Sequence, residues 1–198
     1  LVVPVSAIAF PGCGESSPDA DCRVDDDFVG LDSTYNNAVF QYERFTVEFG
    51  SMIVVAPVIT AEHNGGNITI IAKEIEIAGS IFIDGWSGAA GWTLHGGNGG
   101  TITLIAKNRL FLGSDSFIGV RGANGRVDGC SAGNGGNGGK INLRTVAGAS
   151  VTQFGTLNVS GGLGARVPAT CTTANGTDGV VGLVESTAFI PTLNSFSI

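Results

Sequence analysis

Histidine is the scarcest reactive group in this chain: only His63 and His95 occur, and no Gly-x-Ser-x-Gly turn raises a serine nucleophile for either. The acids within the three aligned units, Gly65 to Gly161, are Glu74, Glu76, Asp84, Asp115 and Asp128. Glycoside hydrolysis needs two carboxylates about 5–10 Å apart. Glu74 and Glu76 share the outward face of one strand, where two such residues are ordinarily solvated. Lys73 and Lys107 fall at equivalent positions, but no ladder of acids accompanies them. His95 has Trp86 and Trp92 near it in a glycine-rich loop, a set that can stack on a sugar ring or cover apolar surface. Thr69, Thr101 and Thr103 face outward, but the next unit offers Lys140 and Asn142 instead, so no regular threonine array forms.

Oxygen ligands for calcium are equally thin. The loops Gly96-Gly97-Asn98-Gly99-Gly100-Thr101 and Gly135-Gly136-Asn137-Gly138-Gly139-Lys140 put Thr101 or Lys140 where a calcium-binding glycine repeat carries aspartate. Asp19, Asp21, Asp25, Asp26 and Asp27 form the one acidic cluster. Its bland reading is a solvated loop, its sharper one a calcium site, and no cofactor is expected. The chain therefore reads as non-enzymatic, with a polysaccharide lyase or hydrolase as the alternative.

The four cysteines allow three pairings. Cys13 and Cys22 flank a turn-rich loop, and Cys130 and Cys171 each lie in a Gly/Ser/Thr-rich loop, which predicts the disulfides Cys13–Cys22 and Cys130–Cys171. Disulfides belong to oxidising compartments, so an extracellular or cell-surface protein is expected. The sequons at Asn67, Asn158 and Asn175 agree with this and mark candidate glycosylation sites. The net charge of −7 with ten Lys+Arg argues against a nucleic-acid partner. No apolar run is long enough to span a bilayer, so no membrane insertion is expected.

The elements that hold these residues are written in repeats. Gly65-Gly66-Asn67-Ile68-Thr69-Ile70 returns as Gly99-Gly100-Thr101-Ile102-Thr103-Leu104 and as Gly138-Gly139-Lys140-Ile141-Asn142-Leu143. Downstream, Ile75 and Ile77 correspond to Leu110 and Leu112, then to Ala149 and Val151. Ile81 and Ile83 correspond to Ile118 and Val120, then to Leu157 and Val159, and Gly85, Gly122 and Gly161 close the units. Alternation with period two predicts three short strands per unit. A single unit cannot bury its inner face, but a stack of equivalent units can. The fold expected is an all-β parallel β-helix of about three to four coils, with ladders such as Ile68 over Ile102 over Ile141. Residues 1–30 read as an N-terminal arm and disulfide loop, 31–165 as the repeats, and 166–198 as a C-terminal cap or arm, in one domain. A partial unit at 45–55 forms the first coil. The glycine loops are expected to pack as layers, because their spacing repeats as the strands do.

The pattern Gly-Gly-Asn-Gly-Gly-x-Ile-x-Leu, followed by short β runs and a new glycine loop, resembles secreted right-handed β-helix proteins of pectin-lyase-like architecture. The resemblance covers roughly residues 40–165 and implies a right-handed coil. Polysaccharide lyases, hydrolases, tailspikes, adhesins and inert surface proteins share that architecture, so it does not select an activity.

A β-helix has two ends with unpaired backbone groups. Leu1, Val2, Val3, Val5, Ile8 and Phe10 form an uncharged, Val-rich segment suited to completing a neighbour's sheet. It reads as a mature strand rather than the tail of a secretory signal. The expected function is a self-assembling subunit of an extracellular filament or surface layer, partnered by copies of itself. The alternatives are a carbohydrate-binding or carbohydrate-cleaving protein and an adhesin that meets cell-surface glycans.

Overall fold

Alternating burial along the chain places its strands in two parallel sheets. The computed structural model describes residues 9–13, 16–57, 63–87 and 94–189. In chain order the strands are β1 (Asp21–Val24), β2 (Val29–Leu31), β3 (Ala38–Val47), β4 (Met52–Val55), β5 (Asn67–Ile77), β6 (Ser80–Phe82) and β7 (Thr101–Leu112). They continue as β8 (Phe117–Gly119), β9 (Val127–Asp128), β10 (Ser131–Ala132), β11 (Lys140–Val146), β12 (Ser150–Gln153), β13 (Thr156–Asn158) and β14 (Leu183–Phe189). One sheet runs β1-β3-β5-β7-β11-β14, with β12 also beside β7, and the other runs β13-β8-β6-β4-β2. The chain visits the sheets in turn, so the layers from β1–β2 to β11–β13 add to both, while β14 extends the first sheet alone among the described residues. Among the described residues only β9 and β10 pair antiparallel, as a hairpin around Cys130.

The columns read from the repeats are the core. Ile68 pairs with Ile102 and Ile102 with Ile141, and all three are buried. Ile81, Ile118 and Leu157 stack in the second sheet. Burying one such aliphatic side chain stabilises by about 1.5–3 kcal/mol, and stacking repeats that gain layer after layer.

The glycine runs form a third wall, with a three-residue hydrogen-bond period. The N–H of Asn98 donates to Asn64 Oδ1 at 2.8 Å. The N–H of Gly99 donates to Asn137 O and that of Gly100 to Ile83 O, both at 2.8 Å. One layer on, Asn137 N–H reaches Asn98 Oδ1 at 2.7 Å, Gly138 N–H reaches Val180 O at 2.9 Å and Gly139 N–H reaches Val120 O at 2.7 Å. Three successive donors thus point three ways, the periodicity of a polyproline II chain. This satisfies backbone groups that no sheet pairs. Glycine is required by close approach: a Cβ on Gly99 would meet the Val120 carbonyl, and one on Gly138 the Val159 carbonyl.

The structure departs from the sequence expectation in four places. The first two strands of a unit are one continuous strand in β5 and β7, interrupted only by a register shift between Ala72 and Glu74, because no glycine or proline separates them. Leu110 pairs with Val151 and Leu112 with Gln153, two residues on from the expected Ala149 and Val151. The segment between β11 and β12 holds a turn with Gly148 at φ +91°, and simple counting misplaces that slack. The stack also exceeds residues 31–165: β1 and β2 pair with β3 and β4, and β14 pairs with β11. Phe10, read as part of the exchanging arm, lies in this chain's own core at 0% exposure.

Candidate functional site

The two ends of the stack differ. At the N-terminal end the Phe10 ring packs edge-on against Phe40 and Phe45, with centroids 5.0 and 5.4 Å away. Its N–H donates to Tyr42 Oη at 3.2 Å. The loop is tied to the first layers by the Cys13–Cys22 disulfide and by Gln41 N–H donating to Ser16 Oγ at 2.8 Å. Cys22, Val24, Val29 and Leu31 are buried at this end.

At the C-terminal end, among the described residues, the same core columns run out uncovered. Ile141 is 0% exposed and its partner Val184 is 39% exposed; Leu110 is 0% exposed and its partner Val151 is 45% exposed. Leu163, Val180, Val181 and Leu183 add exposed apolar surface there. The asparagine ladder stops at this end too: Val180 N–H donates to Asn137 Oδ1 at 3.0 Å, but valine offers no side-chain acceptor to a further layer.

The sequence-selected aromatic patch is only partly assembled among the described residues. Trp92 lies outside them. Trp86 meets His63 edge-on at 5.3 Å and is half exposed, at 49%. His95 serves the layer instead: its Nδ1 accepts from Asn134 N–H at 3.0 Å, in the manner of a ladder asparagine. Beside Trp86 opens a groove of 390 Å³ whose walls include Asp84, Arg121, Asn124 and Ser160. Arg121 donates to Asp84 through Nε at 3.0 Å and a terminal nitrogen at 2.5 Å, and its backbone N–H reaches Asp84 Oδ1 at 2.7 Å. The hydrogen bond to Asp84 holds the guanidinium above its already high ordinary pKa. The guanidinium lies 5.7 and 5.9 Å from the rings of Phe82 and Phe117. Sequence reasoning missed Asp84, Arg121, Asn124 and Ser160 as a group. The available signal was opposite charge at one repeat position, since Asp84 and Arg121 each precede a closing glycine.

The other candidates are dispersed. Glu74 is held by Arg44 at 3.1 Å and Glu76 by Arg109 at 3.7 Å, so each carboxylate faces a cation from a neighbouring layer. Lys73 pairs with Glu43 at 2.6 Å. Among the described residues no three His, Cys, Asp or Glu converge as a metal-binding group; within the acidic cluster, Asp25 lies 3.8 Å from Arg23. Of the sequon asparagines, Asn67 donates through Nδ2 to Asn37 Oδ1 at 3.1 Å. Asn158 Oδ1 accepts from Ser160 N–H at 3.0 Å, and exposed Asn175 accepts from Val167 N–H at 2.9 Å. The second disulfide joins Cys130 to Cys171; two disulfides fit an oxidising compartment. Leu1, Val2, Val3, Val5 and Ile8 lie outside the described residues.

A scan of family models finds no match to this chain, and searches of curated proteins and of solved structures find none either.

Proposed function

We propose that the chain is a secreted, non-enzymatic structural subunit, a right-handed parallel β-helix whose copies join head to tail into an extracellular filament or surface layer. The supporting observation is the contrast between the ends among the described residues: Phe10 is buried in the core at one, and Val184 and Val151 are exposed at the other. The edge of β14 that no described residue pairs is the acceptor, and residues 1–8 of another copy are the added strand. Leu183, Val184 and Ala188 give β14 its apolar positions, Glu185 is already paired with Lys140 at 2.8 Å, and residues 1–8 carry no charged side chain.

Reach favours another copy over the chain's own arm. Six strands from β1 to β14 set the edges of the stack about 24 Å apart at ~4.8 Å per step. Eight extended residues span at most about 29 Å. An arm leaving Ala9 at the capped end would arrive with one or two residues to spare, too few to pair along β14. A contact between unlike surfaces that does not close on itself propagates as a filament.

The test compares the full chain with a form lacking residues 1–8, by electron microscopy and light scattering across concentration. The full chain is expected to give particles that lengthen with concentration, and the shortened form a folded monomer. Val184→Asp is expected to block growth from the acceptor side. Filaments indifferent to the deletion, or a full chain that stays monomeric at high concentration, reject the reading.

A further inference from the structure

The groove beside Trp86 has no part in end-to-end growth, because it lies on the flank of the stack. Its layers are registered by Gly85 N–H donating to Arg121 O at 2.8 Å and Gly122 N–H donating to Ser160 O at 2.9 Å. That register puts Trp86, Ala123 and Gly162 in one column, so side-chain bulk falls away layer by layer below the indole. Asp84, Arg121 and Ser160 form the column on one side; Ser87, Asn124 and Leu163 form that on the other.

The indole platform is anchored by its backbone. Trp86 N–H donates to His63 O at 3.1 Å, and Trp86 O accepts from Gly97 N–H at 3.2 Å. The His63 ring backs it edge-on. Asn124 Oδ1 is occupied by Leu163 N–H at 2.7 Å, which leaves its Nδ2 hydrogens as donors. Ser160 supplies a hydroxyl, and Asp84 keeps acceptor capacity beyond its bonds to Arg121. An aromatic face beside donors and acceptors of both kinds matches a ring with one apolar face and a rim of hydroxyls. Electrostatics narrows the class further. Arg121 is already neutralised by Asp84, and the chain carries a net charge of −7, so the groove holds no excess positive charge for carboxylate or sulfate groups. Adjacent layers lie ~4.8 Å apart, close to the length of one sugar residue in an extended glycan.

We propose that this groove binds a neutral glycan, one pyranose ring stacking on Trp86 and its neighbour meeting Asp84, Arg121, Asn124 and Ser160. The subunit then carries a lateral carbohydrate-binding site independent of its assembly.

The experiment is calorimetric titration of the full chain with neutral hexasaccharides (gluco-, manno-, xylo- and chito-) and with oligogalacturonate as the acidic counterpart. Binding to at least one neutral oligomer is expected, weakened about tenfold or more by Trp86→Ala, as for other aromatic anchors. Asn124→Ala is expected to weaken it with the fold unchanged by circular dichroism. Three results would overturn the proposal. They are no binding to any neutral oligomer, preference for oligogalacturonate, and binding that survives Trp86→Ala but is lost with Trp92→Ala. Filament formation by the Trp86→Ala protein is expected to be unchanged, so this site and the assembly reading fail separately.

Discussion

The backbone N–H of Asn137 donates to the Oδ1 of Asn98, 2.7 Å away in the preceding layer. Asn98 N–H is itself held by Asn64 Oδ1 at 2.8 Å, and Asn137 Oδ1 holds Val180 N–H at 3.0 Å. Each asparagine therefore satisfies the one donor in three that neither neighbouring chain segment can reach. Asn98→Ala is expected to lower unfolding free energy by about 0.5–1.5 kcal/mol, since the exposed Asn137 N–H exchanges its protein acceptor for water. Asn98→Asp retains an acceptor and is expected to cost less. Urea denaturation of the three proteins checks both.

The glycines beside these asparagines answer to a different constraint. Gly99→Ala places a Cβ against the Val120 carbonyl, where backbone must shift. A loss above about 3 kcal/mol is expected, or failure to fold. Gly148→Ala is the contrast: φ is +91° and nothing lies within 4 Å of the added Cβ, so only about 1 kcal/mol is expected. Thermal melts that rank the two the other way would remove glycine packing as the reason for the repeat.

The disulfides close loops of different length. Cys130 and Cys171 are 41 residues apart and Cys13 and Cys22 are 9 apart. Loop-closure entropy gives about 4 kcal/mol for the first and about 3 for the second. Replacing Cys130 and Cys171 together with serine is expected to cost more than replacing Cys13 and Cys22. Denaturation of the two double mutants without reductant measures the difference. Loss of cooperativity confined to the N-terminal end is expected for the second pair, because that bridge anchors the Phe10 cap.

Tyr42 supplies a pH dependence. Burial pushes its phenol above the ordinary value of 10.0, and the hydrogen bond from Phe10 N–H offsets part of the rise. A raised folded value favours the protonated form in the native state. The corresponding stability is complete below about pH 10 and is lost as pH climbs through the raised value, because the unfolded chain ionises first. Urea midpoints measured from pH ~8 to ~11 are expected to fall at the alkaline end. In Tyr42→Phe that fall is expected to shrink, at a cost of about 1–2 kcal/mol at neutral pH from the stranded Phe10 N–H.

Much of this architecture is legible without coordinates. Period-two alternation at Ile68, Ile70, Ile102 and Leu104 announces strands, and recurring Gly-Gly-Asn runs announce layers. Equal spacing then assigns Ile68, Ile102 and Ile141 to one column, because a stacked core tolerates only matched faces. The placement of the cysteines in loops points to the bridges Cys13–Cys22 and Cys130–Cys171. Other features depend on where segments of unlike sequence meet. β1, β2 and β14 lie outside the longest repeated strings, so their membership in the sheets emerges only from pairing with β3, β4 and β11. Phe10 reads as part of a free apolar arm until Phe40, Phe45 and Tyr42 form a hollow that its ring fills. Asp84 and Arg121 become one ion pair only when their layers stack. Local alternation determines the shape of each rung from the chain itself, whereas the burial of Phe10 at one end, the exposed columns at the other end of the described residues and the flank groove arise from non-local packing, which no single stretch of residues encodes.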